Sequence, residues 1–413
     1  MKGYIKSLNM VLAKNLCIFL YIMFLTSTVS NAGLSISLGL LGVSLIYIYI
    51  REKKKIIWPD TKFLIIYVIF FGSLFLAAGI RGDITSLNET RKYMYWTLPF
   101  WCMYLAEKES FSSVSWGCGA SISLLGMGVY SIYQFVMLPL GTRITGTFVS
   151  ANGLAGVLET SLPMAIAFFW VYTERRNKTA YDTYGQYILL GIIGITIFLL
   201  LATQSRGGIA GAFLGGSVVF LVRNRHKLCL LRGKLKYVIG VCILVCMVSI
   251  VSFLGLSTFH RSYDNERLLM IQSSYTMWKD HPFCGVGFSH WQEQYHNKYV
   301  SPMAKEPNVP MPHNNIAFFF SATGIIGGIG YSIFTIGLLI ILLKKIVKNP
   351  HNVYYQAALW SFIAISVHGL VDSGITNKYN LQILFACLGI AFASENENKQ
   401  PIEENNNENI IIN

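Results

Sequence analysis

Apolar residues run along this chain in long blocks separated by short polar stretches, and the blocks have the length that a lipid bilayer demands of a helix. Uninterrupted apolar stretches of about 17 to 22 residues fall near 14–31, 33–50, 63–80, 93–106, 114–138, 153–172, 186–203, 208–222, 237–256, 314–343, 355–371 and 380–394. This pattern predicts an all-α fold, a polytopic transmembrane helix bundle of about twelve spans. The span at 93–106 is short. The one at 314–343 is overlong, as expected if Asn314 to Gly324 dips into a cavity ahead of the membrane helix proper.

Two polar stretches depart from the pattern. Ser257 to Pro312 is long, mixed in charge and rich in His, Tyr and Trp, and is expected to form one outer loop with short helices and to carry function. The stretch 395–413 is an Asn- and Glu-rich tail, expected to be disordered and cytoplasmic. The organisation read from this is an N-terminal bundle of about nine spans over 1–256, a loop at 257–312, and spans over 313–394 that complete the same membrane domain.

Composition strengthens the membrane reading. Hydrophobic residues make up 53% of the 413 and charged ones only 13%, about half the share in soluble chains. A net charge of +13 raises the question of nucleic acid, but the placement of the charge answers it. With the N-terminus inside, 22 of the 33 Lys and Arg fall in inner segments, including Arg51 to Lys55 and the run from Arg223 to Lys236. That is the positive-inside pattern, so both termini are placed in the cytoplasm and no nucleic-acid partner is needed. Ser30-Asn31-Ala32 is a weak signal-peptidase look-alike, and an uncleaved first helix is expected. The eight cysteines lie almost entirely in apolar runs or near the inner face. Only Cys284 falls in the outer loop, so no disulfide framework is implied.

The outer face collects Arg81, Arg91, Arg143, Arg206, Arg261 and Arg267 with His260, His281, His290, His296 and His313. Arg81 and Arg91 read as ordinary solvated loop charge. Arg206, in Thr203-Gln204-Ser205-Arg206-Gly207-Gly208, is wedged between two apolar spans at a helix start, where Ser205 can cap and backbone N–H groups can receive an anion. It either seats a diphosphate or snorkels to headgroups, and spacing alone does not choose. His313 opens the helix beginning Asn314-Asn315, where the positive helix end disfavours its charged form. That suits a general base, although a plain polar cap has the same look.

Arg267 heads a helical stripe of Leu268, Ile271, Tyr275 and Trp278 expected to lie on the membrane or the bundle top. Asp264 and Glu266 have Asp-x-Glu spacing, yet neighbouring arginines can neutralise them, and no metal is expected. Glu159 is the one acid deep in an apolar run, which marks it for function unless it pairs with an outer-face arginine for packing. His368 and Asp372 stand a helical turn apart at the outer end of the eleventh span, without an assigned role.

These residues also carry a family resemblance. Ser205-Arg206-Gly207-Gly208 after an apolar span, Arg267 followed by Asp280-His281-Pro282-Phe283-Cys284-Gly285-Val286-Gly287, and His313-Asn314-Asn315 with Thr323-Gly324-Ile325-Ile326-Gly327-Gly328 resemble the O-antigen ligase and polymerase superfamily. Arg143-Ile144-Thr145-Gly146-Thr147-Phe148 with Asn152 resembles that family's motif ahead of the sixth span, with Ala151 where a proline is often seen before the asparagine. The agreement covers roughly residues 140 to 375.

The resemblance implies a multi-pass enzyme of the bacterial inner membrane with its active site on the periplasmic side. It implies a metal-independent, inverting glycosyltransferase without cofactors, whose donor is an undecaprenyl-diphosphate-linked glycan. Arg206 and Arg267 would hold the diphosphate and His313 would be the base, with Arg143, Arg261, Asn314, Asn152 and Glu159 in support. The favoured expectation is an O-antigen ligase acting on lipid A-core, ahead of a polymerase that joins lipid-linked repeat units. A polysaccharide flippase would place its charges along the midplane, and these spans are nearly free of charge apart from Glu159.

Overall fold

The computed structural model describes residues 2–109, 113–139, 141–173, 180–225, 262–372 and 374–395. Every regular element among them is helical: α1 (Lys2–Ser27), α2 (Asn31–Arg51), α3 (Thr61–Arg81), α4 (Ile84–Tyr95), α5 (Leu98–Glu109), α6 (Ser113–Met137), α7 (Ala151–Thr173), α8 (Ala180–Ala202), α9 (Arg206–Arg223), α10 (Ser262–Asp280), α11 (Trp291–Gln294), α12 (Asn315–Lys348), α13 (Val353–His368) and α14 (Lys378–Ala393). Eight are long and apolar enough to cross a membrane: α1, α2, α3, α6, α7, α8, α9 and α12. The expected span at 237–256 lies outside the described residues.

The short span expected at 93–106 is two pieces. α4 is a polar helix containing Asn88, Glu89, Arg91 and Lys92, and it stops at Tyr95. Pro99 cannot donate to a preceding turn, so the chain breaks at Trp96-Thr97 and restarts as the 12-residue α5. α5 packs along α14, whose residues from Asn380 to Ala393 are all buried.

α7 and α13 form the centre, with α9 laid against α13 and α3 against α12. Without a strong hydrophobic drive between helices in lipid, close backbone approach matters most. Gly207, Gly211 and Gly215 recur every four residues along α9. A Cβ on Gly211 would stand 2.5 Å from the Ala364 carbonyl oxygen of α13, so only glycine permits this crossing.

Tethers divide the loops between two ends of the bundle. At one end, Lys345 bridges Asp60 at 2.8 Å and Glu395 at 2.5 Å, Asn352 donates to Ser394, and Arg223 donates to Gln356. At the other, Tyr379 donates to Asn31, Gln204 donates to the Gly141 carbonyl and Tyr93 donates to the Ile375 carbonyl. Arg81, read from sequence as solvated charge, also acts as a tether there, since its guanidinium donates to the Gly285 carbonyl at 2.6 Å.

The overlong span at 314–343 is the 34-residue α12, interrupted at Gly324 (φ 65°, ψ −162°). That backbone geometry is open essentially to glycine alone. The loop 282–287 fills the break: Val286 N donates to Ser321 O and Gly287 N to Ala322 O, while Ile325 N and Ile326 N donate to Pro282 O and Phe283 O. The helical groups orphaned at Gly324 are thus satisfied by a second segment.

Candidate functional site

The site grows from the start of α12 and the end of α13. Asn314 caps α12, accepting from Ala317 N at 2.8 Å, and its amide donates to the Leu370 carbonyl at 2.8 Å. Asn315 N donates to Gly369 O. These bonds fasten the two helix ends together, so Asn314 is a structural clasp. His313, immediately before the cap, is held in the left-handed region at φ +50°, a conformation a non-glycine residue adopts only when its surroundings impose it.

The imposed turn delivers the imidazole to Asp372, with Nδ1 3.0 Å from Oδ1. Asp372 is only 8% exposed and His313 29%. A carboxylate can only accept, so whenever the ring is neutral its proton sits on Nδ1 and Nε2 keeps its lone pair. Asp372, more than the helix end invoked from sequence, therefore sets the ring's chemistry.

Asp372 is also a hub. Its Oδ2 accepts from Asn152 Nδ2 and stands 3.8 Å from Arg267 Nη2. Asn152 Oδ1 in turn accepts from Arg143 Nη2 at 2.5 Å, and Arg143 Nε donates to the Thr203 carbonyl at 2.8 Å. Arg206 is the first residue of α9, behind the cap that Ser205 makes by accepting from Gly208 N. Arg143, Arg206, Arg267, His313, Asn152 and Asp372 all line one cleft of about 250 Å³. Glu266 and Glu306 share its lining. Glu266 is turned onto the Lys305 and Glu306 backbone amides at 3.0 to 3.3 Å, which assigns it a loop-bracing role. Arg261 and the Asp264 side chain lie outside the described residues.

Glu159 is buried beneath the cleft, where it receives Nδ1 of buried His368 at 2.8 Å. Its partner is thus a histidine, where sequence suggested an outer-face arginine. His368 Nε2 lies 3.4 Å from Ser205 Oγ, which links this pair to the cap of α9. Asp372 and His368 are the residues that sequence reading left without roles. Their one signal was a four-residue spacing at a span end.

Beside the cleft runs an apolar groove of about 400 Å³ between α10 and α12, lined by Ile271, Tyr275, Trp278, Ile316 and Phe320 and ending at Asn314. The stripe read along α10 therefore faces outward, with Leu268 and Tyr275 exposed, while Met270, Ser274 and Met277 form the buried face.

Residues 190–332 match the family model described as O-antigen ligase. About a third of the chain is therefore similar to the O-antigen ligase family. The matched stretch holds Arg206, Arg267 and His313, whereas Arg143, Asn152, Glu159, His368 and Asp372 come to the site from outside it. No curated protein sequence matches the chain.

Proposed function

We propose that this protein is an O-antigen ligase of the bacterial inner membrane, moving an undecaprenyl-diphosphate-linked O-polysaccharide onto lipid A-core at the periplasmic face. One observation carries the reading: a carboxylate-oriented histidine shares a cleft with three guanidinium groups, next to an apolar groove. The groove suits a prenyl chain and the guanidinium forks suit a diphosphate.

In this reading His313 Nε2 takes the proton from an acceptor sugar hydroxyl while Asp372 stabilises the imidazolium that forms. The hydroxyl oxygen attacks the anomeric carbon with inversion. The bond from that carbon to the diphosphate oxygen breaks, and its electron pair leaves with the lipid diphosphate, whose charge Arg206 and Arg267 hold. Arg143 and Asn152 support Asp372. No step needs a metal or a nucleotide.

Polymerisation of lipid-linked repeat units would use the same chemistry. The test is transfer by purified protein between lipid-linked glycan and lipid A-core, together with gene deletion. A ligase null accumulates lipid-linked polymer over bare core, whereas a polymerase null leaves core bearing one repeat unit. Absence of product with lipid A-core and with a second lipid-linked glycan as acceptor removes the transferase reading.

A further inference from the structure

A second cleft, of about 270 Å³, opens at the same end of the bundle. Its walls are Trp96, Phe288 and Phe318 over a floor of buried Trp291, and its polar groups include Glu89, Gln292 and Thr376. The aromatic wall is rigid. Tyr93 meets Trp96 edge-on at 5.7 Å and Phe288 at 5.6 Å, and Trp291 is stacked on Tyr295 while its Nε1 donates to Ser321 at 2.9 Å. The Phe288 loop is pinned to α4, since Ser289 N donates to Ser86 Oγ at 3.2 Å and His290 Nε2 lies 3.3 Å from Asp83.

We propose that this cleft is the subsite for a sugar ring of the acceptor. A pyranose offers apolar C–H faces bounded by hydroxyl groups, which is the complement of flat aromatic walls with an acid, an amide and a hydroxyl at the rim. Among the described residues no arginine lines the cleft and Glu89 is its one acid, pairing with Lys92 at 2.5 Å. The described lining thus lacks the guanidinium forks that the arginine cleft offers a diphosphate.

The position of the cleft assigns it to the acceptor, an assignment that rests on the transferase reading. Pro310 and Met311 line it and His313 lines the first cleft, so two residues, roughly 7 Å of chain, separate sugar from base. Asp372 and Thr376 are divided between the two clefts in the same way. On α12, Phe318 faces the second cleft while Ile316 and Phe320 face the apolar groove. At about 100° per residue, those faces lie roughly 160° apart. The prenyl chain of the donor and the acceptor sugar thus flank opposite sides of one helix start, with His313 between them.

The test uses the full chain in detergent, with core oligosaccharide freed from its lipid by mild acid as the calorimetric probe. Saturable binding is expected to wild type and to His313→Ala, about tenfold weaker to Trp96→Ala and several-fold weaker to Gln292→Ala, an exposed position whose loss leaves the core intact. Inorganic pyrophosphate should not displace the oligosaccharide. In turnover, Trp96→Ala should raise the acceptor KM about tenfold with the donor KM unchanged. No binding to wild type, equal binding to all variants, or displacement by pyrophosphate overturns the subsite. Wild type that binds the oligosaccharide in this way yet forms no product overturns only the transferase reading.

Discussion

Replacing Asp372 by Asn keeps the shape of the side chain and removes the property the site relies on. The carboxylate is 8% exposed, takes His313 Nδ1 on Oδ1 at 3.0 Å, and takes Asn152 on Oδ2 with Arg267 Nη2 at 3.8 Å. An amide has one oxygen. Turned toward His313, it sets its NH2 against the donors of Asn152 and Arg267. Turned the other way, it drives the His313 proton onto Nε2, where the acceptor hydroxyl must deliver its own. Either orientation forfeits a charge-assisted hydrogen bond of about 1.5–3 kcal/mol and the stabilisation of the imidazolium.

A positioned base contributes about 10²- to 10⁴-fold, so Asp372→Asn should slow transfer by that order. His313→Ala has the same ceiling, and the double variant should be no slower than the worse single one, because both remove one function. Initial rates of glycan transfer by purified protein, at saturating donor and acceptor, measure this. A loss below about threefold, or single effects that multiply in the double variant, would refute the pairing as the origin of base activity.

Further outcomes follow from the same geometry. Arg206→Lys keeps a charge but loses the planar fork, and transfer should fall about 10²-fold; an unchanged rate would separate Arg206 from the diphosphate. Gly211→Val drives a side chain into the Ala364 carbonyl and should destabilise the protein by about 1–3 kcal/mol, seen as a lower melting temperature in detergent, and an unaltered temperature would contradict the crossing. Burial alone would raise the Asp83 carboxyl, yet hydrogen bonds from Ser86 and Thr85 and the nearby His290 hold it well below the usual carboxylate range. A depressed folded value means stability that is complete above the unfolded value of about 3.9 and is lost as pH falls below it. Asp83→Asn should therefore cost about 1 kcal/mol at neutral pH and progressively less in acid, and a gap that widens on acidification would reverse the sign of this argument.

Much of the site was legible because polar residues at the ends of apolar runs have few places to go. Arg206, His313, Arg267 and Arg143 each stood at such an edge, and the fold brings all four to one cleft. Their organiser was not legible. Asp372 lies 59 residues from His313 and 220 from Asn152, and nothing in spacing reports a contact that only helix packing creates. The same holds for Glu159 and His368, 209 residues apart. Hydropathy also merged α4 and α5 into one span, because the aromatic run around Trp96 hid a break that depends on a single proline. The apolar stripe of α10 was visible, but the choice between inward and outward faces rested with Met270 and Met277, which sequence alone does not rank above Ile271 or Trp278.

The break in α12 at Gly324 has a mechanical meaning. Since the loop 282–287 supplies four of the backbone bonds around that point, neither segment can shift without unzipping the other, and the two behave as a spliced beam. Motion that admits a bulky saccharide is thereby steered away from this splice. A disulfide or crosslink placed across the splice should therefore leave turnover intact.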